Sequence, residues 1–283
     1  MPVELLPITD SDLVGVGLFF NTYYPTGSGA TWGTSWRRTV NLLGSQAPNH
    51  GFMLKTGGTV VGALAAIYST RLIGGKLEYF CNLAVWCVAP AYRLHSVRML
   101  QAVLAQPGYH FTDLIPGENV RQLDLKMGFK YLDTLTYLTP NLPSFRRPFI
   151  WTDRKDLSEI LVDQKVGGYY RDHADCLWTN HMIIGDSENY CYLQWRKQKH
   201  FGMKHISLRY VSNPDVLRRH YGALGSHFLF KHRCPFTLAE ERVIRFRPRL
   251  SVVFPRPVPR LYKSATLAPD HIDYLYSEIT SAP

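Results

Sequence analysis

The chain has 283 residues, 46% of them apolar, and a formal net charge of +10. This is enough for one large or two ordinary globular domains with a real core, and no apolar run reaches the length of a membrane-spanning helix. Five irregularly spaced cysteines exclude a disulfide framework. The N-terminus has neither the basic region nor the long apolar region of a secretory signal, so a cytoplasmic location is expected. The positive balance favours anionic partners: nucleic acid, acidic surfaces or phosphorylated ligands. No zinc-finger spacing, KH loop or RNP aromatic motif accompanies the charge, so no specific nucleic-acid site is expected.

Val3–Thr9 reads as a short strand, and Asp10-Ser11-Asp12 supplies N-cap chemistry for a helix reaching about Asn21. Thr26–Thr34 is a glycine-rich loop without the Gly-Lys-Ser/Thr ending of a P-loop, and Trp36–Leu43 reads as a second helix. Gly51–Lys55 and Thr59–Tyr68 form a hairpin about Gly57-Gly58. After a second turn at Ile73-Gly74-Gly75 comes a strand, Glu78–Val88, stopped by Ala89-Pro90. A helix then opens at Arg93 and runs through Leu104. Tyr109–Leu114 is the next strand, and the helix Asn119–Met127 is closed by Gly128. Lys130–Leu138 is read as the last strand of this unit.

Thr139–Pro148 holds three prolines and reads as a linker. Beyond it, a helix is predicted over Asp156–Tyr170. Strands follow at Cys176–Gly185, Tyr190–Arg196 and His205–Ser212, then a helix over Pro214–Phe230. Phe254–Arg260 is held extended by prolines. Ala268–Glu278 is compatible with a terminal helix on which Ile272, Leu275, Tyr276 and Ile279 share one face. The expected division is a domain over residues 1–140, a linker over 141–150 and a second domain over 151–283. Arg209-Tyr210-Val211-Ser212-Asn213-Pro214 echoes Trp86-Cys87-Val88-Ala89-Pro90, a strand, a proline and an Arg-bearing helix start. The second half is therefore read as a degenerate copy of the first. The alternative is a C-terminal domain of its own kind that shares strand-turn-helix grammar.

The informative stretch is Leu77 to Phe129. A helix N-terminus just after a strand end points backbone N–H groups and the positive end of the helix dipole at one place, a natural anion site. This order, with Gly128-Phe129 at its end, resembles the coenzyme A half of the GNAT superfamily of N-acyltransferases. The resemblance covers roughly the first half. It implies an α/β fold with a mixed central sheet flanked by helices, here followed by a second GNAT-like unit.

In that family Arg/Gln-x-x-Gly-x-Gly/Ala wraps the coenzyme A pyrophosphate. The matching residues are Arg93, Leu94, His95, Ser96, Val97 and Arg98, with Ser96 and Arg98 standing for the two small positions. The resemblance places the pantetheine arm along Trp86, Cys87 and Val88, whose N–H groups would stabilise the oxyanion. The strand carboxylate that many members use as base is matched by Asn82, which does not ionise. Glu78, four residues earlier on the same side, either acts through water or is a solvated strand-start charge. The leaving-group acid, a Tyr in most members, is matched by Asp124, read as an acid with a raised pKa or as an exposed helix charge. Cys81 and Cys87 are expected to point the same way as buried small hydrophobes. The spacing of His173, Cys176 and His181 is poor for zinc, and no metal is expected.

The resemblance implies transfer of an acyl group from acetyl-CoA or another acyl-CoA to an amine by direct attack. The basic second half suggests an anionic small-molecule or polysaccharide-precursor acceptor. The alternative is a GNAT-like ligand-binding or scaffold protein that has lost catalysis, as the replacements at residues 82, 98 and 124 suggest.

Overall fold

The computed structural model describes residues 2–24, 47–146, 148–162, 164–186, 188–200 and 202–281. The loop expected at Thr26–Thr34 and the helix expected at Trp36–Leu43 lie outside them. The chain forms two compact units. The first is Met1–Tyr131 with Arg260–Ile272 and Tyr276–Pro283; the second is Leu132–Pro259 with Asp273–Leu275.

The first unit opens with β1 (Glu4–Pro7), a 3-10 turn at Asp10–Asp12, and α1 (Leu13–Tyr23). Thr9 and Asp12 form the capping box at this entry, the Thr9 hydroxyl donating to Asp12 Oδ2 at 2.6 Å and the Thr9 N–H at 3.1 Å. β2 (Gly51–Thr56), β3 (Thr59–Ile73) and β4 (Lys76–Val88) follow as two hairpins. Their turns, Gly57-Gly58 and Gly74-Gly75, have positive φ at both central residues, which two-residue hairpins of matching twist require. A 3-10 turn (Pro90–His95) leads into α2 (Ser96–Leu104), then β5 (Tyr109–Asp113), α3 (Glu118–Lys126) and β6 (Lys130–Tyr131).

The second unit contains β7 (Thr136–Pro140), β8 (Phe149–Trp151), α4 (Arg154–Ile160), α5 (Gln164–His173), β9 (Asn180–Gly185), β10 (Tyr190–His200), β11 (Met203–Val211), α6 (Pro214–His232), β12 (Phe236–Glu240), α7 (Glu241–Ile244) and β13 (Val252–Val253). The closing segment carries β14 (Leu261–Lys263), a 3-10 turn (Pro269–His271) and α8 (Glu278–Ser281).

The two sheets repeat one pattern. The first runs β1-β2-β3-β4-β5-β14-β6, and the second runs β8-β9-β10-β11-β12-β7-β13. In each, four antiparallel strands meet a parallel pair, β4 with β5 or β11 with β12, joined by a proline-started crossover helix. In each, the strand beyond the parallel pair comes from a distant part of the chain. β14 pairs β5 and β6, while β7 pairs β12 and β13.

This exchange corrects the expected boundaries. Lys130–Leu138 is not one strand: Lys130–Tyr131 belongs to the first sheet and Thr136–Pro140 to the second. The second unit thus begins before the proline-rich stretch. Asn141 within that stretch is buried, with its side-chain N–H on the Cys234 carbonyl at 2.9 Å and its Oδ1 accepting from Thr237 at 2.8 Å. Those bonds fix the backbone where a flexible linker was expected. The helix predicted at Asp156–Tyr170 is two helices, because Leu161 leaves helical geometry with ψ of 60°. The terminal helix predicted to carry a four-residue stripe is also corrected. Ile272, Leu275, Tyr276 and Ile279 are all buried, but Tyr276 has φ of 55°, and Leu275 counts with the second unit.

Gly128 ends α3 in a Schellman motif: the Phe129 N–H reaches the Asp124 carbonyl at 3.0 Å and the Gly128 N–H the Leu125 carbonyl at 3.1 Å. Its φ is 88°, and the one atom near a Cβ there would be Lys263 Nζ at 3.4 Å. The demand for glycine is thus conformational rather than steric. Gly128→Ala is expected to cost about 1–2 kcal/mol in urea unfolding, the usual cost of left-handed geometry for an L-residue; an unchanged midpoint would contradict this reading.

Candidate functional site

The site grows from the separation of β4 and β5. Their parallel register pairs Tyr79 with Tyr109, Phe80 with His110, Cys81 with Phe111 and Asn82 with Thr112, and stops there. β4 continues to Val88 with β3 on one side, and among the described residues no strand pairs its other edge beyond Asn82. The Ala89 N–H bonds the Val61 carbonyl at 2.9 Å. By antiparallel alternation, Cys87 and Val85 turn their N–H groups toward β3, and Trp86 and Val88 turn theirs to the open edge. An open edge of this kind is a template for an extended, amide-bearing ligand.

A β-bulge at Ala84 sets the side chains here: Ala65 pairs Val85 and Ala66 pairs Leu83, leaving Ala84 extra. The bulge reverses the strand's inside and outside. Cys81 and Leu83 pack with Met99, Leu100 and Val103 of α2, whereas Cys87 packs with Val16 and Phe20 of α1. Cys81 and Cys87 therefore point to opposite faces, contrary to strict alternation. Burial pushes the Cys81 thiol up to about 12 and raises that of Cys87 as well. Neither is a ready nucleophile. Of the three residues expected along the ligand, Trp86 and Val88 offer backbone donors and Cys87 does not.

Beyond β4, the turn Arg93 to Arg98 is wound as 3-10 helix before α2 begins. The Ser96 N–H is directed to the Arg93 carbonyl. Arg93, Leu94 and Arg98 are exposed, and His95, Ser96 and Val97 are partly buried. Arg98 Nη1 lies 3.5 Å from the Val3 carbonyl oxygen and 3.4 Å from His95 Nδ1. The bulk of the arginine at a small-residue position is thus directed toward the start of the chain.

Glu78 lies on β4 one residue before its pairing with β5 begins, at the end away from where the strands separate. It is held by His110 Nε2 at 3.0 Å and Lys76 Nζ at 3.2 Å, which keep its carboxyl below the usual range. His110 Nδ1 in turn meets Ser264 Oγ at 2.9 Å. Glu78 is a partnered ion, and the structure does not bring it to the open edge.

Asn82 stands where the strands part. It accepts from Thr112 Oγ1 at 2.8 Å and donates to Glu278 Oε2. Glu278 is 7% exposed, and its Oε1 has no hydrogen-bond partner among the described residues. Burial pushes its carboxyl up to about 7, against the opposing influence of the Asn82 donor, of Arg260 and of the Leu114 backbone just past β5. A carboxylate therefore sits beside the amide at residue 82, supplied from more than 190 residues away. Sequence reading missed it because no local motif marks it; the one available signal was an acid within the apolar and aromatic run Tyr274–Ile279.

Asp124 is fully buried rather than solvated. Apart from the carboxyl of Asp113, neither of its oxygens has a partner among the described residues. Burial raises both acids, Asp124 to about 6, and each feels the other. Two carboxyls in one dry place share a proton. Among the described residues no group of three or more His, Cys, Asp or Glu is arranged to hold a metal ion. His173 and His181 are core residues, with His181 Nε2 at 3.0 Å from the His173 carbonyl oxygen and Nδ1 at 2.8 Å from the Tyr192 hydroxyl. No helix among the described residues is long and apolar enough to cross a membrane.

The second sheet repeats the separation. β11 and β12 pair from His205 with Phe236 to Ser207 with Leu238, and a bulge follows at Arg209. Here the chain's own residues 273–275 lie against both diverging ends: Asp273 acts on Tyr210 of β11, and the buried Tyr274 donates its hydroxyl to Glu240 at the end of β12.

No family model and no curated protein matches the sequence. Solved structures do match in fold. A GCN5-related N-acetyltransferase from Anabaena variabilis aligns with TM-score 0.60 at 11% identity, over 93% of this chain and 72% of its own. Eis1 from Mycobacterium abscessus aligns with TM-score 0.54 at 13% identity, over 92% and 73%. Saccharomyces cerevisiae N-myristoyltransferase, solved with bound myristoyl-CoA, aligns with TM-score 0.51 at 10% identity, over 98% and 84%. The chain has the GNAT superfamily fold, and its two like-ordered sheets fit a tandem GNAT-like arrangement.

The sign of the acid pair's effect on stability follows from its raised pKa. A carboxyl that binds its proton more tightly when folded stabilises the fold most at pH below about 4. It gives that stability up as pH rises through about 6. Asp124→Asn supplies a neutral partner for Asp113 and is expected to stabilise the protein at pH 7.5 by on the order of 1–2 kcal/mol. It should also flatten the fall between pH 4 and 6. Equal loss of stability at every pH in urea titrations would contradict a shared proton.

Proposed function

We propose that the first unit is an acyl-CoA-dependent N-acyltransferase domain, with acetyl-CoA or a longer acyl-CoA as donor and an amine as acceptor. The observation that carries this reading is the open edge of β4. Trp86 and Val88 present N–H groups on the side where β5 has departed, in the place where a pantetheine arm would add as a strand and a thioester oxygen would meet a donor. The Arg93–Arg98 turn at the end of that edge would take the pyrophosphate. Arg93 supplies charge and the Ser96 hydroxyl a donor, while the Ser96 amide is already spent on Arg93. The solved neighbours named as acetyl- and myristoyltransferases support the same chemistry for this fold. The net charge of +10 favours an anionic molecule as carrier of the amine.

In the second unit Asp273 acts on Tyr210 of β11 and Tyr274 donates to Glu240 at the end of β12, while in the first the returning segment meets β4 at Asn82 through Glu278 and leaves Trp86 and Val88 beyond it. The donor site is therefore assigned to the first unit and not to both.

One observation favours a second reading, a binding module without turnover: the residue matching the strand carboxylate is Asn82, already engaged at both ends.

Calorimetric titration with acetyl-CoA and longer acyl-CoA species is expected to give micromolar binding. Val88→Pro removes an outward N–H without breaking a bond to β3 and should weaken binding about tenfold, the worth of one good hydrogen bond. Cys87→Pro removes an inward one and should destabilise the fold instead. Arg93→Glu and Ser96→Trp should also weaken binding. A folded protein that binds no thioester would sink the acyltransferase reading. Tight binding without amine-dependent thiol release would favour the second.

A further inference from the structure

We infer that Glu278, carried by the returning C-terminal segment, is the base that takes the proton from the incoming amine, in place of a carboxylate on β4. This rests on the acyl-transfer reading above and names the residue that completes that site.

Three observations support it. The first is position. The Glu278 carboxylate sits on Asn82, the last β4 residue paired to β5, and beside Leu114, just past the end of β5. It therefore stands where the strands part, at the start of the edge that holds the outward N–H groups of Trp86 and Val88. The second is valence. Asn82 Nδ2 donates to Oε2, and Asn82 is itself fixed by Thr112, so the carboxylate is oriented, while Oε1 is buried with no hydrogen-bond partner among the described residues. A carboxylate oxygen without a donor in a dry place is costly, and an arriving amine would supply one. The third is charge. The groups facing Glu278 are Arg260, which favours its ionised form, and Asp113, which shares its proton with Asp124. The balance leaves the carboxyl at about 7, so near neutral pH it exists in both forms, as a base of this kind must.

The other acids fit less well. Glu78 is held ionised by His110 and Lys76, one residue before β4 begins to pair with β5. Asp124 and Asp113 have each other. The segment that carries Glu278 is firmly seated: Ile272, Tyr276 and Ile279 are buried, and Arg71 stacks between Phe80 and Tyr276, 4.3 Å and 5.6 Å from the two ring centres.

The ammonium form of the acceptor gives one proton to Glu278, leaving a neutral amine. Its nitrogen lone pair forms the C–N bond at the thioester carbonyl, and the oxygen charge is held at the β4 edge. The C–S bond then breaks, and the coenzyme A thiolate takes the second nitrogen proton through water. The products are an amide, a free thiol and protonated Glu278, which returns its proton to solvent.

The test uses the full chain with acetyl-CoA and a panel of primary amines (an alkylamine, an amino sugar, an amino-acid amide and a lysine-containing peptide), following thiol release. For any amine that turns over, Glu278→Gln should lower kcat/KM about 100-fold or more at pH 7. Acetyl-CoA affinity by calorimetry should change less than threefold. In the wild type, kcat/KM should rise with pH through an ionisation near 7. Glu278→Gln should abolish that limb, and Glu278→Asp should keep it at intermediate rate, a rescue that a merely structural role would not produce. If the Gln variant proves unstable, the retained limb in the Asp variant carries the test. Wild-type turnover with an unchanged rate and pH profile in Glu278→Gln would overturn the role of Glu278 and leave acyl transfer standing. Wild-type failure to bind or consume acetyl-CoA would overturn both.

Discussion

The site depends on a refusal of two strands to stay paired. β4 and β5 run together for four residue pairs, to Asn82 and Thr112, and then part. A parallel pair inside a sheet normally spends its backbone groups on its neighbours. Here the N–H groups of Trp86 and Val88 face outward with no strand paired to them among the described residues, and a backbone donor left without a partner has a standing cost. The bulge at Ala84 makes the same place special from the other direction, turning Trp86 and Val88 toward the α2 face and Cys87 toward α1. The parting opens an edge, and the bulge aims it. The second sheet has the same parting and a bulge at Arg209, but residues 273–275 lie against its ends. The two units are alike in construction, and the returning C-terminal segment meets both partings, through Glu278 in the first and Asp273 and Tyr274 in the second.

Around this opening, carboxyl chemistry has been redistributed. Asn82 cannot ionise, yet a carboxylate lies on its side chain. Asp124 is an acid where the resemblance implies a phenol, but it is dry and paired with Asp113, so it binds its proton more tightly than a solvated carboxyl does. Each feature runs against what its own sequence position implies, and each has a partner brought by the fold. The acids at 113, 124 and 278 are all raised by burial, so their combined effect is to make the unit more stable in mild acid than at neutral pH. That loss is a cost borne at the site rather than in the core, the pattern expected of groups kept for chemistry.

The sequence was legible wherever the signal is local. The two Gly-Gly turns, the strand ended by Ala89-Pro90, the glycine that ends α3 and the crossover helices needed only turn chemistry and periodicity. The echo between Trp86–Pro90 and Arg209–Pro214 was likewise a local pattern, and the two sheets share their strand order. The misses that moved whole strands were non-local. β7 follows the first unit in sequence but pairs in the second sheet, and β14 does the reverse. Read along the chain, Lys130–Leu138 therefore looked continuous. The proline-rich stretch after it is pinned by Asn141, whose partners Cys234 and Thr237 lie far ahead. The Ala84 bulge overturned the expected alignment of Cys81 and Cys87, since one extra residue reverses every side chain after it. Glu278 was invisible because nothing within ten residues of it explains why an acid should be buried.

The most direct test of the account is amide hydrogen exchange along β4, read residue by residue with and without acetyl-CoA. The account predicts fast exchange at Trp86 and Val88 in the free protein and slow exchange at Val85 and Cys87, whose N–H groups face β3. On saturation with acetyl-CoA, Trp86 and Val88 should slow strongly while Val85 and Cys87 stay as they were. Exchange at Trp86 and Val88 that is already slow in the free protein, or indifferent to the ligand, would contradict it.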